Sequence, residues 1–239
     1  MTKKKDDFLG PINISSLHAL YQPIIEIGSE DVIGYEALMR GSGMFASPQK
    51  MFQYSYAEGF TIPLDIECMK QAFHDLPKLK KNQLLFVNVE PATLNSCFLK
   101  GGKAYLLLSK LKRAKQVVFE LTEGLKTWDL SLARVGVESM RKFGCRLALD
   151  DMKGIGSKLF EMLTLKPDFI KIDMSLIQGL VRSELQQSIV RQLVQLGRKH
   201  ESEVIAEGVE TESDLRLVQE MSIRFAQGYI YSKPKKLAH

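Results

Sequence analysis

The chain is short of the residues and patterns that mark several common classes of protein. Its three cysteines, Cys68, Cys97 and Cys145, are an odd number, far apart and without metal-type spacing, so they read as reduced packing residues. No apolar run approaches the roughly 18 to 20 residues of a membrane span. The opening Met1-Thr2-Lys3-Lys4-Lys5-Asp6-Asp7 leads into no hydrophobic signal region, and a cytoplasmic location is expected. No Gly-x-Gly-x-x-Gly follows a strand-like run, which weighs against a dinucleotide fold. The four histidines, His18, His74, His200 and His239, belong to no cluster of polar residues at strand ends, which weighs against a histidine-based metal hydrolase. The lysine groups at 78–81 and 110–115 lack the interleaved aromatics of a single-strand groove, so no nucleic-acid polymer is expected as a partner. Repeats and low-complexity linkers are absent, and the net charge of +5 is mild.

What is present is ordinary in bulk and unusual in pattern. A chain of 239 residues, 45% hydrophobic and 26% charged, suits one large α/β domain. Strand-like runs fall near 20–25, 32–39, 83–89, 116–121, 145–150, 168–172, 203–207 and 225–230. Most are rich in Val, Ile, Leu and Phe, as strands buried on both faces must be. The turn cluster Gly28-Ser29-Glu30-Asp31 predicts that the first two form an antiparallel hairpin. Amphipathic segments are expected at 63–76, with Leu64, Met69 and Phe73 on one face; at 184–200, with Leu185, Ile189, Leu193, Val194 and Leu196; and at 211–221, with Leu215, Leu217 and Val218. Thr211 with Asp214 resembles an acidic capping box. Eight strands alternating with helices fit a (β/α)8 TIM-type barrel over 18–239, preceded by an extension, 1–17.

The unusual feature is how the apolar runs end. They finish in Glu36, Asn88, Glu120, the adjacent pair Asp150-Asp151, Lys171 and Glu207, with Gln227 near the last. Barrel chemistry sits at the carboxyl ends of strands. Buried charge needs partners, and oxygen donors of this kind suit Mg2+ or Mn2+. An adjacent acid pair lets one carboxylate bridge two cations, the arrangement that serves phosphodiester hydrolysis. Taken singly, each residue has a plainer role: a strand-end Glu solvates a loop, Lys171 pairs with Asp150, Asn88 caps the next loop, Gln227-Gly228 makes a tight turn. Eight together on one face of one fold are harder to explain that way.

The ordered motifs Tyr21-Gln22-Pro23-Ile24, Glu36-Ala37-Leu38-Met39-Arg40, Val87-Asn88-Val89, Glu120-Leu121-Thr122-Glu123, Asp150-Asp151, Lys171-Ile172-Asp173, Ala206-Glu207-Gly208-Val209-Glu210 and Gln227-Gly228-Tyr229 resemble the EAL domain family from about residue 18 to Pro234. The resemblance implies a modified barrel with an antiparallel first strand that linearises cyclic-di-GMP to pGpG with two Mg2+ or Mn2+ ions. It implies that Glu36, Asn88, Glu120 and Asp150 hold the first metal, with Asp150 bridging to a second at Asp151 and Glu207 nearby. Lys171 would orient and help deprotonate the attacking water, Gln227 would position water, and Gln22 and Arg40 would contact the dinucleotide. Glu123 would anchor the loop after the aspartate pair. A homodimer and a regulatory protein partner are further expectations. The loop itself departs from the family: Asp-Asp-Phe-Gly-Thr-Gly becomes Asp150-Asp151-Met152-Lys153-Gly154-Ile155, with Gly156 following. That departure keeps open a catalytically weak cyclic-di-GMP receptor or a protein-interaction module as alternatives.

Overall fold

The computed structural model describes residues 8–9, 11–122, 129–156, 159 and 163–237. Eight strands close into a barrel: β1 His18–Glu26, β2 Val32–Arg40, β3 Leu84–Asn88, β4 Val117–Thr122, β5 Arg146–Met152, β6 Phe169–Ile172, β7 Glu203–Ala206 and β8 Phe225–Ala226. Neighbours follow chain order around the ring, and β8 closes onto β1. β1 is antiparallel to both β2 and β8, whereas the other pairs are parallel. The expected hairpin is therefore present, turned at Ile27–Ser29 with Glu30 at φ 60°. Because β1 runs in reverse, its early residues lie where the other strands finish, and Gln22 pairs with Glu36.

Each strand divides its side chains between two apolar compartments. Ile24, Leu84, Phe86, Val118, Ala148, Phe169, Ile205 and Phe225 meet inside the barrel. Val87, Phe119, Leu147, Leu149, Ile170 and Val204 join a larger core beneath the helices, which also takes in Ile12 and Leu17 from the segment that precedes β1. Burial on both faces is why the strands read as continuous apolar runs rather than alternating ones.

The helices sit close to expectation. Thr61–Asp75 buries Leu64, Met69 and Phe73. Glu184–Lys199 buries Leu193 and Val194, but Leu185 is 72% exposed, because Ser183 caps the helix and leaves that first-turn residue on the solvent side. Glu212–Glu220 begins on Thr211, whose hydroxyl oxygen accepts from the Asp214 N–H at 3.1 Å. The Asp214 carboxylate accepts the Thr211 hydroxyl at 2.8 Å and the backbone N–H groups of Gly179 and Val181 at 3.4 Å, so it pins a neighbouring turn to this helix.

The last strand is shorter than the run 225–230 suggests. The chain turns at Gln227–Gly228, where Gly228 lies so close to the Val209 backbone that a Cβ would overlap it. The N–H of Val209 donates to the Gln227 carbonyl at 3.1 Å, and that of Ile230 to the Val209 carbonyl at 3.1 Å. The turn is real, and it delivers Gln227 into the barrel mouth. Cys68 and Cys145 are buried and Cys97 is partly so, all three unpaired. Among the described residues no helix is long and apolar enough to cross a membrane.

Candidate active site

A strand returns to the same face every second residue. Two positions beyond the interior residues Phe86, Val118, Ala148, Phe169, Ile205 and Phe225 stand Asn88, Glu120, Asp150, Lys171, Glu207 and Gln227. On reversed β1, Gln22 lies two positions before Ile24. The apolar interior is thus the floor of a polar layer at the carboxyl end of the barrel.

At the centre is Lys171, wholly buried. Its Nζ lies 2.6 Å from Glu120, 2.8 Å from Glu207, 3.0 Å from Asp150 and 3.3 Å from Glu36. The Asn88 side-chain amide donates to Glu120 at 3.2 Å and to Glu36 at 3.4 Å. Gln227 donates to Glu36 at 2.7 Å and to Gln22 at 3.1 Å. Asp151 arrives by a backbone device: it sits at φ 57°, and β5 slips register against β6 between Leu149 and Met152. Such a bulge re-aims a side chain that strict alternation would send outward, and Asp is among the residues that tolerate a left-handed backbone. Asp150, Asp151 and Glu207 consequently bring carboxylate oxygens within 4.8 Å of one another.

The electrostatics are one-sided. Burial pushes Glu120 and Glu207 well above the usual carboxylate range against the pull of Lys171, and it raises Asp150 as well. Asp151 rises to about 6, through burial first and then through its neighbours Asp150 and Asp173. Burial alone would depress the Lys171 ammonium, but Asp150, Glu120, Glu207 and Glu36 together hold it well above the ordinary lysine value. Four carboxylates on one ammonium, with Asp151 beside them, would carry four unmatched negative charges once all are ionised, the charge of two divalent cations. Glu120 Oε1 and Asp150 Oδ1 are buried and share one ammonium, Lys171, at 2.6 and 3.0 Å, with no other donor. Hard carboxylate oxygens gathered this closely fit divalent cations well.

The structure therefore gathers Glu36, Asn88, Glu120, Asp150, Asp151, Lys171, Glu207, Gln227 and Gln22 at one end of the barrel. Arg40 stands at the end of β2 with its guanidinium donating to the Met39 carbonyl at 2.8 Å. Glu123 lies outside the described residues, as do Ser157 and Lys158 of the altered loop. Within that loop Met152 is buried and pairs with Ile172, while Lys153 is exposed, 3.9 Å from Asp173.

A cavity of about 370 Å3 opens from the acids and is lined by Leu38, Phe52, Asp65 and Glu90 among others. Asp65 and Glu90 are absent from the sequence reading. The Asp65 carboxylate accepts the Glu90 N–H at 3.0 Å, and burial raises its pKa to about 7. Glu90 accepts the Tyr56 hydroxyl. An acid inside the apolar stripe Leu64, Cys68, Met69 of its helix was the signal for Asp65; Glu90 carried none.

A barrel with a reversed first strand and an acid-lined, cation-suited mouth defines the class of molecule. The sequence profile of the EAL domain matches residues 10–234, and the chain belongs to the EAL domain family. It is 30% identical over 232 residues to the probable cyclic di-GMP phosphodiesterase PdeI of Escherichia coli K12, covering 93% of this chain and 29% of that protein. It is 26% identical over 226 residues to the cyclic di-GMP phosphodiesterase PdeF of the same organism, covering 90% and 30%. The chain thus spans less than a third of the length of these relatives. Among solved structures it resembles the manganese and cy-diGMP complex of Klebsiella pneumoniae BlrP1, with 29% identity, a TM-score of 0.80, and coverage of 96% of this chain and 57% of that one.

Proposed function

We propose that this chain hydrolyses cyclic-di-GMP to linear pGpG with two divalent cations, Mg2+ or Mn2+. The observation that carries the reading is the gathering of five carboxylates at the barrel mouth, four of them on one buried ammonium and three with oxygens within 4.8 Å of one another. Glu36, Asn88, Glu120 and Asp150 would hold the first ion, and Asp150 with Asp151 the second, with Glu207 beside them. Bound there, such ions acidify water and offset charge on the attacking and leaving oxygens of a phosphodiester. The chain's own groups do the rest. Lys171 fixes four carboxylates at once and favours the ionised form of a nearby water. Gln227 holds Glu36 in place. Arg40 at the rim suits a phosphate or a guanine, given the forked donors of a guanidinium. A cytoplasmic homodimer under the control of a regulatory protein is the corresponding reading of its setting.

The altered loop favours a second reading, a receptor that binds the dinucleotide with little turnover. Incubating the protein with cyclic-di-GMP and Mg2+ or Mn2+, with an EDTA control and chromatography of the products, separates the two. The phosphodiesterase reading expects metal-dependent pGpG that disappears in Asp150→Asn. Unchanged substrate with measurable binding supports the receptor, and absence of binding in every metal contradicts both.

A further inference from the structure

We infer that Gln22 is a positioning residue, tying the carboxyl-terminal segment to Glu36 and setting the affinity of the first cation position; this rests on the phosphodiesterase reading.

One main-chain atom beside Gln22 has a fixed role. The Ser232 carbonyl can only accept, and it lies 3.1 Å from the amide of Gln22, so the amino end of Gln22 faces it. The oxygen end of Gln22 must then face Gln227, at 3.1 Å, and only an amino group can answer it. That same Gln227 amino group donates to Glu36 at 2.7 Å. Each amide orientation follows from the one before, so a direction set by the backbone at 232 is passed inward to a carboxylate of the site. Gln227 is left with its Oε1 buried and without a donor.

All three side chains are buried, with Gln22 8% exposed, Glu36 6% and Gln227 3%. Both ends of Gln22 are engaged, its amino group by Ser232 and its oxygen by Gln227. The segment that begins the relay is itself anchored next door. Tyr21 donates its N–H to the Lys235 carbonyl at 2.7 Å, and the Lys235 N–H donates to the Tyr21 carbonyl at 3.0 Å. Residues 232–235 therefore ride on the backbone immediately beside Gln22, and a shift of this segment reaches Glu36 through two amides.

Outer partners that orient metal-binding side chains change metal affinity or activity by about 10- to 100-fold when removed. The test is a Mn2+ titration of the full chain, read by the electron paramagnetic resonance of the free ion, beside steady-state kinetics with cyclic-di-GMP. Gln22→Met keeps length and burial but removes both hydrogen bonds. It is expected to weaken Mn2+ uptake by about tenfold and to lower kcat while KM stays within about twofold. Lys235→Pro touches no side chain of the site and removes one bond of the anchoring bridge; it is expected to act in the same direction more weakly, and it stands in if Gln22→Met fails to fold. A raised KM in Gln22→Met with kcat and Mn2+ uptake unchanged overturns the inference, since that is how a direct ligand contact behaves. Unchanged Mn2+ uptake in the folded variants overturns it too, alone if the wild type takes up Mn2+. A wild type that takes up none overturns the phosphodiesterase reading and this inference with it.

Discussion

The barrel interior holds two stacked layers supplied by the same strands. In the lower, Phe86, Val118, Ala148 and Ile205 have no exposure, and Phe86 packs edge-on against Phe169 at 5.3 Å. In the upper, Asn88, Glu120, Asp150, Lys171 and Glu207 stand two residues further along. The strand geometry is common to both, yet the energetics are opposed. Burying each large apolar side chain below stabilises the fold by about 1.5–3 kcal/mol. Burying mismatched charge above opposes folding unless ions or protons complete it. The lower layer holds the barrel closed; the upper layer draws on that stability to keep carboxylates dry and close together.

Removing the ammonium should have the largest effect. Lys171→Met removes the ammonium that four of the carboxylates share, and the metal-free protein should lose about 3–5 kcal/mol in urea unfolding. Turnover should drop by roughly 100-fold or more, since small displacements of a reacting group already cost that much. Phe86→Ala should cost a similar 3–5 kcal/mol, because it opens a cavity under the site. Its Mn2+ stoichiometry should nevertheless match wild type below the unfolding transition, which separates the two layers cleanly.

A pH series sharpens the contrast further. Asp151 titrates at about 6 in the folded chain against an ordinary 3.8. The folded state therefore holds more protons than the unfolded one between these values, and this residue's contribution to metal-free stability should fall as pH rises from about 4 to 6. Glu120, Asp150 and Glu207 shift in the same direction. Urea unfolding in EDTA across that window should show a shallower decline in Asp151→Asn than in wild type. The smallest effect belongs to the rim. Lys153→Ala removes an exposed group 3.9 Å from Asp173 and should alter stability by less than about 0.5 kcal/mol. A turnover change beyond about fivefold in that variant would move the altered loop from the periphery of the mechanism to its centre.

Much of this was legible in the sequence because the pattern repeats. Apolar runs ending in acids announce strands, and the strands announce the face. The hairpin was readable from Gly28-Ser29-Glu30-Asp31, and the cap from Thr211 and Asp214. The remainder depended on contacts between distant segments. That β8 stops at Ala226 follows from the packing of Gly228 on Val209, nineteen residues earlier in the chain. The inward turn of Asp151 comes from a bulge, and neighbouring acids alone do not reveal one. The hydrogen bond from Gln22 to Ser232 was not legible, because its acceptor is a backbone carbonyl and leaves no trace in residue identity. Glu90 was missed for a related reason: its partner Tyr56 lies on a different element.

The central claim is that the unmatched charge of the upper layer is the seat of two divalent cations. Counting Mn2+ bound per chain at saturation with cyclic-di-GMP present tests it most directly. The account expects two ions in the wild type and a loss of at least one in Asp150→Asn. Fewer than two in the wild type, or a count that Asp150→Asn leaves unchanged, would contradict it.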